Sequence, residues 1–201
     1  MSTIFLVRHG QTALNAQGRF RGLLDPPLDH HGVEQAHAAA RVVAAAGVDA
    51  VYASPLQRTM ATARVIAEMC GLTVIKVPGL IDLDYGAWEG LTWEEATEAD
   101  PEGLERFRSY PWSVTPPGGE PVADVAERVE ATIARLADRG RDDTVVAVSH
   151  DLPIRLALAA IMGVSGPELW RLDVAPGSVI RLENTSAGFD VPNPPGLLDA
   201  P

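Results

Sequence analysis

Short apolar runs alternate with longer helix-like stretches along this chain, and this alternation limits the fold more than any other feature of the sequence. Five runs of strand length are predicted to be buried strands, at residues 3–7, 48–53, 73–77, 144–148 and 178–182. Stretches with apolar residues at helical spacing lie between them, at 33–46, 56–70, 120–139 and 152–162. Such alternation predicts an α/β fold, a three-layer α/β/α sandwich with a mostly parallel central sheet.

The domain organisation follows from the length and from two breaks in the pattern. A chain of 201 residues suits one domain with a modest insertion. We expect residues 1–189 to form this single domain. Residues 92–119 interrupt the alternation with tryptophans and prolines, and they are predicted to form a helical insertion that covers a site. Residues 190–201 are rich in proline and are predicted to be an extended or frayed tail.

The net charge of −11 narrows the range of partners. A strongly acidic surface repels nucleic acid and anionic lipid, so neither is an expected partner, and a bound anion needs a local cluster of cations. No apolar run is long enough to cross a membrane, and no signal peptide is expected. Cys70 is the only cysteine, which excludes an internal disulfide and is compatible with a cytoplasmic location. A homodimer is compatible with the sequence, which gives no signal for or against it.

Positively ionisable side chains follow the ends of three predicted strands. Arg8 and His9 come at the end of the first strand, Arg58 lies one turn into the helix after the second, and His150 follows the fourth. Ligands of open α/β sheets bind beyond the carboxyl ends of the strands. Arginine forks and helix N-termini match the oxygens and the charge of a phosphate. The sequence therefore predicts a phosphate site at this edge, with carboxylates of residues 81–86 nearby to protonate a leaving oxygen.

Several stretches carry a family resemblance in addition to this chemistry. They are residues 6–12 with Asn15, 19–22 continuing to Asp25 and Leu28, 53–59, 86–92, and 148–150 followed by 153–155. In this order they resemble the motifs of the histidine phosphatase superfamily, which includes the cofactor-dependent phosphoglycerate mutases. The resemblance runs from Ile4 to about Glu183. It implies a phosphoglycerate mutase-like fold and a metal-independent reaction that needs no cofactor.

The resemblance also implies a role for each matching position. His9 would be the nucleophile that forms a phosphohistidine. Arg8, Arg58 and His150 would bind the phosphoryl oxygens and stabilise charge in the transition state, and Asn15 would add a hydrogen bond at the edge of the pocket.

The proton donor departs from the pattern of the family. Relatives usually carry a glutamate four residues before the first glycine of the 86–90 stretch, and this chain has Asp82 there. Aspartate is shorter by one methylene, about 1.5 Å of reach, and its reference pKa of about 3.9 requires burial or a nearby anion if it is to stay protonated near neutrality. We predict that Asp82 is the acid, with Asp84 and Glu89 as the alternatives.

Three further positions are expected in the substrate- or phosphate-binding region. Arg21 stands where relatives often carry glutamine or threonine, and it either contacts the phosphate or a substrate carboxylate or is exposed to solvent. Gly22 belongs to the same motif. Asp151 follows His150, where a negative charge near phosphate would be unfavourable, so we expect it to turn away and cap the helix that starts at Leu152. Ser54 is predicted to cap the helix after the second strand.

These observations predict a phosphomonoesterase that acts on a small phosphorylated metabolite and releases inorganic phosphate. A phosphoglycerate mutase that depends on 2,3-bisphosphoglycerate is the first alternative, but residues 86–119 are short for the insertion that such mutases carry. A phospho-ligand-binding protein without turnover is the second. Residues 22–26 and 81–84 with Leu169 and Trp170 are similar to metal-independent phosphoserine phosphatases of the superfamily, which makes phosphoserine one candidate substrate.

Overall fold

A computed structural model of the chain describes residues 2–140 and 142–197. Its strands form one mixed six-stranded sheet in the order β3-β2-β4-β1-β5-β6. The strands β1 to β4 are parallel to one another, whereas β5 and β6 are antiparallel additions at one edge. The strand bounds are β1 Thr3–Arg8, β2 Ala50–Ala53, β3 Val74–Lys76, β4 Thr144–Ser149, β5 Val179–Thr185 and β6 Gly188–Asp190.

Helices cover both faces of this sheet. The α-helices are α1 Ala13–Ala16, α2 His30–Ala44, α3 Gln57–Cys70, α4 Trp93–Ala99, α5 Pro101–Ser109, α6 Val122–Ala137 and α7 Asp151–Met162. Short 3-10 helices occupy Pro78–Leu80, Gly86–Trp88, Pro111–Ser113 and Gly166–Arg171. This arrangement confirms the predicted α/β/α sandwich with a mostly parallel sheet.

Two separate apolar cores result from the alternation of side chains along the strands. Phe5 and Val7 of β1 point to the side of α2 and α3, whereas Ile4 and Leu6 point to the side of α6 and α7. Successive residues of a strand face opposite sides of the sheet, so a central strand that is covered on both faces is apolar throughout. Four consecutive core residues in β1 therefore account for the short uninterrupted apolar run in the sequence.

Two features at the C-terminal end were left open by the sequence. The hairpin partner β6 was not predicted, because three residues carry too little periodicity to be recognised. Residues 191–197 are attached to the domain at their end: Leu197 forms a β-bridge with Leu172, and the N–H of Asp173 donates to the carbonyl of Gly196 at 2.9 Å. Residues 198–201 of the predicted tail lie outside the described part of the chain.

Two predicted helix caps are wrong. Helix α3 begins at Gln57 with Leu56 as its N-cap, so Ser54 lies outside the helix. Helix α7 begins at Asp151, so this residue lies inside the first turn and does not cap a helix at Leu152. In both cases the side chain bonds a residue that is distant in sequence, His150 for Ser54 and Arg8 for Asp151. That contact takes the place of the local capping bond.

Residues 92–119 form the two short helices α4 and α5 followed by a 3-10 turn. Phe107 of α5 is buried, and its ring lies 4.8 Å from that of Trp170 and 5.5 Å from that of Trp88, measured between ring centroids. Aromatic contacts of this kind fix the segment against the loop that contains Tyr85 and Trp88. Within the described residues, no helix has the length and apolar character that a membrane crossing requires.

Candidate active site

Three strand ends converge at one edge of the sheet. The strands β2, β4 and β1 are neighbours and parallel, so His9, Arg58 and His150 follow adjacent strands at their carboxyl ends. All three side chains are fully buried, and the ring centroids of the two histidines are 5.2 Å apart. The structure thus brings together the side chains that the sequence placed at separate strand ends, at the position where α/β sheets bind ligands.

His9 is held as a neutral imidazole with one nitrogen directed into the site. Its Nδ1 lies 2.7 Å from the carbonyl oxygen of Gly10, which assigns the ring proton to Nδ1. Its Nε2 accepts a hydrogen bond from Nε of Arg58 at 3.2 Å. Burial, together with the charges of Arg58 and Arg8, holds the pKa of His9 well below its usual value. Nε2 is therefore unprotonated at neutral pH, and its lone pair accepts the hydrogen bond from Arg58.

Asp82 is the buried carboxyl group of the site. Its Oδ2 lies 3.2 Å from Nη2 of Arg58 and 3.7 Å from Nδ1 of His150, while its Oδ1 accepts from the N–H of Leu83 at 3.0 Å. Burial raises the pKa of Asp82, and the charge of Arg58 opposes this rise. A raised pKa favours the protonated form, which a proton donor requires.

The two alternative carboxylates stabilise the backbone of neighbouring loops. Oδ1 of Asp84 accepts from the N–H of Gly86 at 2.8 Å, and Oε1 of Glu89 accepts from the N–H of Leu23 at 2.6 Å. Of these three acids only Asp82 contacts the arginine and histidine cluster through its side chain. Its position distinguishes it from the alternatives that the sequence left open.

Arg58 connects His9 and Asp82 to the loop after α1. Besides His9 and Asp82, its guanidinium donates to the carbonyl oxygens of Leu24 at 2.7 Å and of Gly22 at 2.8 Å. Gly22 thus meets the site through its backbone oxygen. Because Arg58 spans all four groups, the loop and the cluster are fixed to each other.

Arg8 is held by a set of partners that differs from that of Arg58. Its Nη1 donates to Oδ1 of Asp151 at 3.1 Å and to the carbonyl of Val174, while its buried Nε has no partner. The same Oδ1 of Asp151 accepts from Nε of Arg155 at 3.0 Å. Burial raises the pKa of Asp151, but the charges of Arg8 and Arg155 outweigh this and lower it. Asp151 therefore stays ionised and bridges two cations, which explains why it does not cap α7.

His150 has a hydrogen-bond partner that the sequence did not assign to the site. Its Nε2 lies 2.8 Å from Oγ of Ser54, and its Nδ1 is buried without a hydrogen-bond partner. Burial, and then the charge of Arg58, lowers the pKa of His150 well below its usual value. Ser54 directly follows β2 just as His9 directly follows β1, and that position was the signal that could have identified it.

Arg21 and Asn15, the two other predicted binding side chains, make local hydrogen bonds. Nη1 of Arg21 donates to the carbonyl of Arg19 at 2.9 Å, while its Nε is buried without a partner. The charge of Arg21 also acts to lower the pKa of His9 and that of Asp82, and the residue is half-buried. Oδ1 of Asn15 accepts from the backbone and hydroxyl of Thr12, at 3.0 and 2.8 Å.

Comparison with known proteins identifies the family. Residues 4–193 match the profile of the histidine phosphatase superfamily, branch 1. The chain belongs to this superfamily. It is 40% identical to phosphoserine phosphatase 1 of Hydrogenobacter thermophilus over 185 residues, which cover 91% of this chain and 88% of that protein. It is 29% identical to a probable phosphoglycerate mutase of Yersinia pestis over 183 residues, which cover 91% of this chain and 85% of that protein.

A solved structure resembles this histidine phosphatase over nearly its whole length. The mycobacterial glucosyl-3-phosphoglycerate phosphatase, solved in complex with VO3, superposes with a TM-score of 0.85 at 28% identity. The match covers 98% of this chain and 99% of that one. The resemblance that the sequence motifs carried is therefore confirmed for both the family and the fold.

Proposed function

We propose that this histidine phosphatase hydrolyses a small phosphomonoester through a phosphohistidine on His9. The observation that carries the proposal is a buried, neutral imidazole whose Nδ1 faces the carbonyl of Gly10 and whose Nε2 is directed at Arg58, next to the buried acid Asp82. An unprotonated ring nitrogen and an acid with a raised pKa are the two groups that phosphoryl transfer to an enzyme side chain requires. Similarity to two phosphatases supports the same activity.

The first step forms a nitrogen–phosphorus bond. Nε2 of His9 attacks phosphorus opposite the leaving oxygen, the bond between phosphorus and that oxygen breaks, and Asp82 transfers its proton to the oxygen, which departs as an alcohol. In the second step the carboxylate of Asp82 takes a proton from water, and the water oxygen attacks phosphorus. The nitrogen–phosphorus bond breaks, inorganic phosphate leaves, and neutral His9 and protonated Asp82 are restored.

The remaining site residues would bind the phosphoryl group or fix its ligands. Arg8, Arg58 and His150 supply donors for the equatorial oxygens, and the partnerless Nε of Arg8 and Nδ1 of His150 are available for this purpose. Asn15 would add a hydrogen bond at the edge. Asp151 and Gly22 act by holding Arg8 and Arg58 through a carboxylate and a carbonyl.

Arg21 is proposed to bind the alcohol part of the substrate. It adds a third guanidinium to a cluster in which Asp82 and Asp151 already face Arg58 and Arg8. A planar fork with a buried, partnerless N–H suits a carboxylate of the substrate. Phosphoserine, the substrate named for the Hydrogenobacter relative, carries such a carboxylate and is the first candidate.

The proposed reaction needs no metal ion and no cofactor. Among the described residues, no group of three or more histidine, cysteine, aspartate or glutamate side chains could hold a metal ion. The arginines of the cluster would also repel a cation. We propose a cytoplasmic location, supported by the single free thiol of Cys70, and a small-molecule phosphomonoester as the partner, without nucleic acid or membrane.

A phosphoglycerate mutase is the second candidate, favoured by the similarity to the Yersinia protein. The higher identity to a phosphatase favours hydrolysis. A phospho-ligand-binding protein without turnover is the third, suggested only by aspartate in place of glutamate at position 82, and the contacts of Asp82 with Arg58 and His150 argue against it.

Trapping of the intermediate tests the proposal. Wild-type protein is expected to hydrolyse phosphoserine or a related phosphomonoester and, after rapid acid-free quenching, to show an added phosphoryl mass on His9 that acid removes. His9→Ala should lose both turnover and adduct, whereas His37→Ala, at an exposed position on α2, should keep both. Turnover by His9→Ala, or an adduct on another residue, would contradict the mechanism.

Product analysis separates the candidates. Incubation with 3-phosphoglycerate, with and without 2,3-bisphosphoglycerate, is expected to release inorganic phosphate, and 2-phosphoglycerate as the main product would identify a mutase.

In a screen of phosphorylated metabolites, Arg21→Gln should raise KM for substrates with a carboxylate more than for substrates without one. Tight binding without release of phosphate from any compound would identify a binding protein.

A further inference from the structure

The segment that carries Asp82 has little regular structure of its own. The segment lies between the 3-10 helix Pro78–Leu80 and the 3-10 helix that begins at Gly86. Main-chain groups in such a segment need partners from elsewhere in the fold. Their partners are therefore what fixes the position of the buried carboxyl group.

Arg128 of α6 supplies most of these partners. Its Nη1 donates to the carbonyl oxygens of Gly79 at 3.2 Å and of Ile81 at 2.7 Å, and its Nη2 donates to the carbonyl oxygen of Asp82 itself at 2.9 Å. Its remaining two donors, on Nε and Nη2, both bind the carboxylate of Glu120 at 3.0 Å. All five N–H donors of the guanidinium are therefore used.

Glu120 fixes the same segment from its other side. While its carboxylate binds Arg128 with two oxygens, its own N–H donates to the carbonyl of Asp84 at 3.0 Å. The Arg128 and Glu120 side chains are only 21% and 28% exposed, so the pair is shielded from water and its geometry is well defined. Together the two residues bind the main chain before, at and after Asp82. We call this pair the clamp.

Because the side chain of Asp82 is short, the position of its main chain matters for proton transfer. The carboxyl of Asp82 is one methylene shorter than a glutamate carboxyl, about 1.5 Å of reach. Nevertheless its Oδ2 comes within 3.2 Å of Arg58 and 3.7 Å of His150. A proton donor must come within about 2.6–3.2 Å of the oxygen it protonates, so with a short side chain the main chain has to supply the reach.

We propose that Arg128, oriented by Glu120, is a positioning residue that holds the main chain of Asp82 where its carboxyl reaches the leaving oxygen. It touches neither the substrate nor His9 and acts only through Asp82. The proposal rests on the proposed function, because it takes Asp82 as the general acid. It predicts a specific kinetic signature, since an acid matters only for leaving groups that need a proton.

Leaving-group dependence provides the test. For Arg128→Gln we expect kcat/KM to fall about 10- to 100-fold on a serine-type alkyl phosphate, and to change less than threefold on p-nitrophenyl phosphate, whose phenolate departs without protonation. The value of kcat/KM reports formation of the phosphoenzyme, the step in which Asp82 donates its proton. Arg128→Lys keeps the positive charge but lacks the planar guanidinium group. Its kcat/KM on the alkyl phosphate should therefore fall selectively as well, but by less. Arg135→Gln, an exposed arginine of the same helix, is the matched control.

A double-mutant comparison separates failure of this proposal from failure of the mechanism. If Arg128 acts through Asp82, then Arg128→Gln adds little to the loss already caused by Asp82→Asn on the alkyl phosphate. Should Asp82→Asn show no loss that depends on the leaving group, the acid assignment fails. Should Asp82→Asn show it while folded Arg128 variants lose activity on both substrates equally or on neither, the positioning role fails.

A folding measurement and a second variant protect the test against unfolding. Circular dichroism reports whether each variant is folded, independently of its activity. If Arg128→Gln does not fold, Glu120→Gln carries the test, because it keeps the shape of the side chain and weakens only the charged part of the clamp. It is then expected to lose alkyl phosphate activity selectively, and an equal loss on both substrates would overturn the proposal.

Discussion

The two buried imidazoles show how the surroundings of a residue decide its protonation. His9 and His150 each lie in a fully buried position beside arginines, and burial is the largest cause of their lowered pKa values. A charged imidazole would add to the repulsion among Arg8, Arg21 and Arg58. Arg58 and Arg8, which would bind the phosphoryl group, therefore add to the effect of burial in keeping the proposed nucleophile neutral before the substrate arrives.

This arrangement makes stability depend on pH. The folded pKa of each histidine lies below the unfolded value of about 6.5, so below this pH the unfolded chain binds protons that the folded chain does not. The free energy of unfolding should fall as the pH drops below about 6.5, by up to ~1.4 kcal/mol per pH unit for each histidine. Denaturant unfolding between pH 7.5 and 5.5 measures this slope.

A matched pair of variants isolates the contribution of His9. His9→Asn should show a shallower slope than the wild type, because one group that takes up a proton on unfolding is gone. The carboxyl groups contribute to the slope in the same way in both proteins, so their contribution cancels in the comparison. His37→Asn, at an exposed position, should keep the slope of the wild type. An unchanged slope in His9→Asn would mean that the ring is not held neutral.

At the scale of elements, the loop after α1 depends on one glycine. Gly22 has a φ of +47°, and a Cβ there would lie 2.1 Å from Oε1 of Glu89 and 2.8 Å from the carbonyl oxygen of Leu83. Its own carbonyl accepts from Arg58. The loop can approach both the acid segment and the arginine only because this position has no side chain.

Gly22→Ala should therefore lower both stability and activity. Backbone strain and the two close contacts predict a loss of about 1–3 kcal/mol in the free energy of unfolding, together with a lower kcat/KM because Arg58 is displaced. Gly18→Ala is the control, since Gly18 also has a positive φ, +65°, but nothing lies within 4 Å of its added Cβ. It should lose stability through strain alone and keep its activity. Equal effects of the two substitutions would contradict this account of the loop.

At the scale of the whole molecule, charge is distributed unevenly. The chain carries a net charge of −11, yet Arg8 and Arg58 lie at one edge of the sheet, each paired with one carboxylate, and the charge of Arg21 acts on the same site. The general field repels an anionic substrate, and the local cluster provides the attraction that binding needs. In the proposed reaction, these arginines would supply the positive charge that a metal ion supplies in many phosphoryl-transfer sites.

Removal of metal ions tests this interpretation. Dialysis against EDTA should leave kcat/KM for the phosphomonoester unchanged, and adding Mg²⁺, Mn²⁺ or Zn²⁺ to the dialysed protein should not raise it. Protein dialysed against the same buffer without chelator is the control. A loss of activity that one of these ions restores would show that the reaction uses a metal.

The sequence determined the class of fold, the order of the elements and the main cluster. Burial on both faces makes the central strands continuously apolar, and helical spacing marks the helices that cover them, so both are readable from local periodicity. His9, Arg58 and His150 were predictable as neighbours because carboxyl ends of adjacent parallel strands meet at one edge.

Tertiary packing alone decided the contacts that orient these groups. Ser54 pairs with His150 across 96 positions, Asp151 pairs with Arg8 across 143, and Arg128 reaches the carbonyl of Asp82 across 46. Ser54 and Asp151 were expected to cap helices, which is their common local role. Local patterns report burial and backbone preference, whereas a hydrogen bond between distant positions depends on how helices and loops pack, at distances that must match to a few tenths of an ångström.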